Sequence, residues 1–289
     1  MASEGHMGQM RLSPLSLDRL SNLPGELINY ILKLVPIRDA VRTSILSWDW
    51  RYKWMTVPDL KFDDCSYPHS SSSGRYRKLV DFITHVMFLH NGILDKFQMH
   101  ISMKCSYKHV DRWILLLARK LVKEFDLGFS GGNRYNVPSS LFSCQSLRIL
   151  KLHHCILKSS SRIKGFNSLV DLDLHGVTFT NETIASLISD STSLQNLTLI
   201  ECDGFNRLYI CAPNLRIFDI NSPCGDIYFN NCPKLIDAYI GLLPVAAGSL
   251  PPNLLGTSTK RFELVLSGLR RVENLFISEH FMEVIVFSF

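Results

Sequence analysis

A six-residue pattern, L-x-x-L-x-L, recurs through the second half of the chain and restricts the fold more than any other feature. It stands as Leu147-x-x-Leu150-x-Leu152, Leu169-x-x-Leu172-x-Leu174, Leu194-x-x-Leu197-x-Leu199, Leu215-x-x-Phe218-x-Ile220 and Leu235-x-x-Ala238-x-Ile240. Weaker copies begin at Leu94 and Val122. Counted at the fourth position, Phe125, Leu150, Leu172, Leu197, Phe218 and Ala238 follow one another at 25, 22, 25, 21 and 20 residues. One short strand and its return segment cannot cover their own apolar side, so such units are stable only when stacked over a shared core. A doubly wound sheet needs a full crossover helix between parallel strands, and the segments joining Leu199, Ile220 and Ile240 are too short for one. The expected class is α/β, with a curved solenoid over residues 75–241 and parallel strands on its concave face.

The period is that of a leucine-rich repeat. Cys155 and Cys202 fall three residues after the last leucine of their units, where such repeats turn inward, and Ala212-Pro213 and Cys232-Pro233 precede new units. Apolar spacing predicts helices over 75–91, 109–121 and 181–189. It predicts strands at 96–102 and 122–127, with short return-path strands at 208–210 and 227–229. A further strand is expected at 262–266, and Val272-x-x-Leu275-x-Ile277 reads as a last unit.

Side chains alternate along a strand. With the leucines inward, the third, fifth and seventh positions of each unit face the concave surface. From these positions we take Lys151, His153, Asp171, Asp173, His175, Thr198, Ile200, Asp219, Asn221, Asp237 and Tyr239 as candidate target-binding residues. Lys96, Gln98, His100, Glu124, Asp126, Ile149, Asn196 and Ile217 share that face. Six of these positions are acidic and two are lysine, so the surface reads as acidic and suited to a basic segment, with Ile149, Ile200, Ile217 and Tyr239 as apolar anchors. His153 and His154 are adjacent and point to opposite sides, so they cannot share a metal. His153 reads as structural, and no metal or cofactor is assigned.

The 289 residues are 46% hydrophobic and carry a net charge of +5, enough for a large domain and a small one but too weakly basic to indicate nucleic acid. None of the eight cysteines forms C-x-x-C. The N-terminal residues lack a signal-peptide core, and no apolar run approaches the ~20 residues of a membrane span. A reducing cytosolic or nuclear location with free thiols is expected. No phosphate-binding loop, zinc-protease motif or nucleophile elbow is present, so no enzyme is expected.

Residues 17–64 read as three short helices. Ser21 or Asn22 suits the first cap, Pro24 an early helical position and Glu26 the first turn. Leu23, Leu27, Ile28, Ile31, Leu32 and Val35 follow at helical spacing, and Pro36 stops the helix. Asp39 stands where the next cap should be, ahead of Val41, Ile45 and Leu46; Trp48, Trp50, Tyr52 and Trp54 then crowd together.

The order L-P-x-E-L-I, I-L, V-P-I-R-D-A-V-R-T-S-I-L-S-x-x-W-R-Y-K-W resembles an F-box, in the wording of plant F-box proteins with leucine-rich repeats, many of which carry a C-terminal FBD domain. The resemblance implies docking on a Skp-type adaptor, and through it on cullin and RING subunits. It places adaptor contacts at Leu23, Pro24, Glu26, Leu27, Ile31, Leu32, Val35, Pro36 and Ile37, with Val41, Leu46 and Trp50 supporting the bundle. Val35 replaces the usual leucine, and Leu34, Trp48 and Asp49 stand where the family tends to be basic. It further implies the substrate-recognition subunit of a ubiquitin ligase acting on an unidentified protein target, without nucleic acid or membrane. The alternatives are a hormone or inositol phosphate co-receptor, or an adaptor-independent scaffold. Residues 1–16 read as a loose tail and the serine-rich 65–74 as a loop. Residues 242–289 read as irregular last repeats with an uncapped apolar tail, Phe281 to Phe289, expected of a chain cut short of the FBD segment.

Overall fold

The computed structural model describes residues 23–48, 50–64, 75–102, 107–158, 166–242, 265, 268–269 and 272–278. The expected N-terminal tail, the Ser21 and Asn22 caps, the serine-rich loop and the apolar C-terminal tail lie outside these residues.

The N-terminal module opens with α1 (Gly25–Leu34) and α2 (Ile37–Arg42). Proline stands at the N-cap of each, with φ of −52° at Pro24 and −53° at Pro36. The Pro24 carbonyl accepts from the Leu27 and Ile28 N–H groups, and the Pro36 carbonyl from Asp39 and Ala40. Asp39 therefore lies inside the first turn of α2 rather than capping it, where its charge still opposes the macrodipole. In place of a third helix come two 3-10 turns, Thr43–Ile45 and Lys53–Thr56. Ile28, Leu32, Ile37, Ala40, Trp50 and Trp54 bury together as the small core.

Residues 59–63 are not helical. They form β1 (Asp59–Asp63), the first strand of the solenoid sheet, so the helical module runs into the repeats without a linker. The sheet has nine strands, all paired in parallel: β1, β2 (Lys96–Ile101), β3 (Glu124–Phe129), β5 (Ile149–His153), β7 (Asp171–His175), β8 (Asn196–Ile200), β10 (Ile217–Ser222), β12 (Asp237–Leu242) and β13 (Asn274–Ile277). The return paths carry α3 (Arg75–Leu89), α4 (Lys108–Leu117), α5 (Asn181–Asp190) and two small parallel pairs, β4 (Tyr135–Asn136) with β6 (Cys155–Ile156), and β9 (Arg207–Cys211) with β11 (Asp226–Asn230).

Registration places like positions side by side. Phe97, Phe125, Leu150, Leu172, Leu197, Phe218 and Ala238 make one continuous inward row, all essentially inaccessible. Consecutive concave strands end on a left-handed residue: His154 at φ 55°, Gly176 at 60° and Glu201 at 51°. Each N–H there donates to the next strand, so the turn keeps the ladder intact. The Cys155 and Cys202 thiols are buried at the inward turn and donate to the carbonyls of His153 and Leu174. Burial pushes both up to about 12, so they are poor thiolates and act as packing groups. Two expectations are corrected. Helix α4 stops at Leu117, and Leu121 is exposed with φ 53° because the chain must turn into β3. Val265 is helical where a strand is expected.

The junction between module and solenoid is tight. The Met55 carbonyl accepts from the Asn91 and Gly92 N–H groups, and a Cβ on Gly92 would lie 2.7 Å from Thr56 Cα. His90, 3% exposed, sits beneath. Its Nε2 contacts the Val57 carbonyl at 2.9 Å, and its Nδ1 lies 3.3 Å from Lys120 Nζ, which also donates to the His90 carbonyl. A carbonyl only accepts and an ammonium only donates, so the bound form is neutral imidazole with its proton on Nε2. Burial lowers the His90 pKa, the Val57 bond opposes that, and Lys120 adds to it. The folded chain thus resists a proton that the unfolded chain accepts. His90 contributes full stability above the ordinary histidine value of about 6.5, and loses it as pH falls from there toward its lowered value. Urea midpoints should drop between pH 7 and 5, and the drop should be smaller in His90→Gln. An equal drop in both would remove His90 as the cause.

Candidate interaction surfaces

The first surface is the outer face of α1. Leu27 is 50% exposed and Leu34 69%, with Tyr30 and Ile31 beside them. Ile45, Leu46 and Trp48 of the same module are exposed as well, Trp48 at 79% with the Arg51 guanidinium 4.6 Å from its ring centre. An apolar stripe of this kind on a small helical module is a candidate partner site. Of the expected contacts, Pro24, Glu26, Leu27, Ile31, Val35 and Pro36 are exposed and Leu23 is half-buried. Leu32 and Ile37 are buried in the module's own core, so in this chain they hold the bundle and do not face outward. Leu46 is the converse: expected inside, it stands outside because the chain there is a tight 3-10 turn rather than a helix.

The second surface is the concave sheet face, and the lateral register defines three rows. The third-position row runs Asp59, Lys96, Glu124, Ile149, Asp171, Asn196, Ile217, Asp237, Asn274. The fifth-position row runs Lys61, Gln98, Asp126, Lys151, Asp173, Thr198, Asp219, Tyr239, Phe276. The seventh-position row contains His100, Gly128, His153, His175, Ile200, Asn221 and Gly241.

Polar and charged neighbours on this face pair with one another. Lys96 pairs with Glu124 at 3.0 Å, Lys151 with Asp173 at 3.1 Å and His175 with Asp173 at 2.7 Å. His100 and His153 both point Nε2 at one oxygen of Asp126, at 2.6 and 3.5 Å. Partial burial of Asp126 works against its ionisation, but the two histidines outweigh it and hold the carboxyl well below the usual range. The N-terminal half of the face is thus a paired network. Asp171 and Asp219 differ: burial raises both, and Asp219 has no ion pair among the described residues. Asp237 accepts from Asn274. Toward the C-terminal strands the face becomes apolar, with Ile217, Tyr239 and Phe276 exposed and the last two rings stacked at 4.7 Å. Phe276 was missed as an anchor; it occupies the fifth position of the last unit, so the repeat register alone points to it.

Comparison with known proteins decides the family. Residues 20–62 match the F-box domain model. Residues 86–225 match the model described as At1g61320/AtMIF1, LRR domain. The chain is 41% identical over 222 residues to the F-box/FBD/LRR-repeat protein At1g13570 of Arabidopsis thaliana, covering 76% of this chain and 53% of that one. The FBD-associated F-box protein At4g10400 of the same plant is 30% identical over 228 residues, covering 76% and 54%. The F-box protein At4g09920, also from Arabidopsis thaliana, is 31% identical over 279 residues, covering 84% of this chain and 86% of its own length. The chain belongs to the plant F-box/leucine-rich-repeat family. It spans about half the length of the first two relatives.

In this family member the F-box ends where the repeats begin, at β1. A cavity of about 430 Å³ lies in the angle between them, lined by residues including Lys33, Val35, Pro36, Lys61 and Lys96. Of its three lysines, Lys33 is engaged with Asp59 at 3.2 Å and Lys96 with Glu124 at 3.0 Å. Among the described residues no helix is long and apolar enough to cross a membrane.

Proposed function

We propose that this chain is the substrate-recognition subunit of a Skp–cullin–F-box ubiquitin ligase in the cytosol or nucleus, without catalysis of its own. The observation that carries the reading is the join: an exposed apolar α1 face sits on a module fused directly to the repeat sheet. A rigid join holds a bound target at a fixed distance from the adaptor side, which raises the effective concentration of its lysines near a charged conjugating enzyme. The F-box binds the adaptor through Leu27, Ile31, Val35, Pro24 and Pro36, with Leu23 and Glu26 at the entry to α1. The target lies along the C-terminal half of the concave face. There Ile200, Ile217, Tyr239 and Phe276 supply anchors, and Asp171, Asp219 and Asp237 favour a basic segment, with Thr198 and Asn221 as polar contacts. Lys151, His153, Asp173 and His175 order the neighbouring strands.

The test is copurification of the full chain with a recombinant Skp-type adaptor and with targets from a plant extract. Tyr239→Ala combined with Asp219→Lys should release the targets and leave the adaptor bound in a 1:1 complex. Failure of the folded wild-type chain to bind any Skp-type adaptor would overturn the ligase reading. Targets retained by the double variant would move their site off this face.

A further inference from the structure

We infer that His100, Asp126 and His153 form a binding site for a zinc-class divalent transition metal, open on its fourth side to the concave groove. The inference is independent of the ligase reading. One donor atom from each of the three residues lies within 4.8 Å of the other two. They come from three successive strands, β2, β3 and β5, so the backbone ladder fixes their origins and only side-chain torsions separate them from a coordinating geometry.

The arrangement depends on what is missing between the histidines. His100 and His153 occupy the same row two strands apart, with Gly128 between them. A Cβ on Gly128 would lie 2.9 Å from His100 Nδ1. Glycine therefore leaves the gap through which His100 leans over β3 until its ring centre is 5.0 Å from that of His153. Asp126, two residues earlier on β3, faces the same side and supplies the carboxylate beneath both rings. Two imidazole Nε2 atoms converging on one carboxylate oxygen are the donor set of a nitrogen-rich, three-residue zinc site.

Tetrahedral zinc with bonds of 2.0–2.2 Å sets its ligand atoms roughly 3.4 Å apart. The His153–Asp126 separation of 3.5 Å already meets that, and the 2.6 Å His100–Asp126 contact needs to open by less than about 1 Å. His100 has 41% of its side chain exposed, so it is free to make that adjustment. A single carboxylate with two imidazoles suits zinc, copper or nickel and not calcium or magnesium, which demand more oxygen ligands. His175 continues the row 5.0 Å from His153, but its Nε2 faces Asp173 at 2.7 Å, which places it outside the set. Among the described residues three protein donors converge, so the fourth position takes water or a donor side chain from whatever lies in the groove.

The experiment uses the purified full chain, stripped with chelator and titrated with Co²⁺ and then Zn²⁺. One Co²⁺ per chain should bind with a visible tetrahedral-type absorption that Zn²⁺ abolishes. His153→Gln and Asp126→Asn should each weaken binding at least about 100-fold, since loss of an outer partner alone can cost 10–100-fold. Gly128→Ala should weaken it as well by displacing His100, while His175→Gln should bind as the wild type does. All four variants are checked for an unchanged urea midpoint, and the two ligand substitutions, at part-buried side chains, carry the result if Gly128→Ala unfolds. No stoichiometric binding overturns the site. So does binding that survives both ligand substitutions, or a sulfur-to-cobalt charge-transfer band, which would place the ion at the cysteines.

Discussion

Changing Leu27 and Ile31 together to aspartate should cut the affinity for a Skp-type adaptor by at least about 1,000-fold. Both side chains are exposed on one face of α1, while Ile28 and Leu32 on the other face fill the F-box core. Anchors of this kind contribute at least about 2 kcal/mol each when truncated, and two such losses make about 4 kcal/mol, or roughly 1,000-fold. Aspartate adds the desolvation of a carboxylate that finds no partner in an apolar interface, so the figure is a lower bound. The fold should tolerate the change because both side chains reach solvent, Leu27 at 50% and Ile31 at 38% exposure. Titration calorimetry with purified adaptor reads the loss, and an unchanged urea midpoint shows that it comes from the surface. Wild-type affinity in the folded double variant would remove the α1 face as the docking surface.

The repeat was legible because it is enforced by burial. Every leucine that names the pattern, from Leu147 to Leu199, is at 0% exposure, and a polar residue there would leave an uncompensated group in the core. The three outward rows were legible for the same reason, since alternation follows once the inward positions are known. Their electrostatics were not. Counting charges marks the face as acidic, but the pairing of Lys151 with Asp173 and the turning of two histidines toward Asp126 follow only from lateral register between positions 22 to 27 residues apart. The histidine pair has the same origin. His153 was weighed against its chain neighbour His154, whereas its partner is His100, brought near by the glycine on the strand between. In the F-box, the resemblance put Leu32 among the contacts and Leu46 among the supports of the bundle, whereas Leu32 is buried and Leu46 exposed. Spacing marks which residues share a face, and only the packed tryptophans, Trp50 and Trp54, determine which face turns inward.

Leu172→Ala should destabilise the chain by about 2–5 kcal/mol, near the upper end of that range. Leu172 is central in the inward row, flanked by Leu150 and Leu197 on the adjacent strands, and all three are inaccessible to solvent. Removing its isobutyl group leaves a hole that the neighbours cannot close, because parallel pairing holds their strands about 4.8 Å apart. A globular domain has only about 5–15 kcal/mol of stability, so the loss is a large share of the whole. The control is Lys151→Ala on the opposite face of the same sheet. Its 3.1 Å pair with Asp173 is 38% exposed on the lysine side, so screening limits the cost to about 0–1 kcal/mol. In urea titrations the leucine variant should move the midpoint several times further than the lysine variant. Since each repeat touches only its neighbours, a hole in the middle also weakens coupling between the two ends, so a shallower transition should accompany the shift. A leucine variant no less stable than the lysine variant would mean that the inward row is not a continuous core.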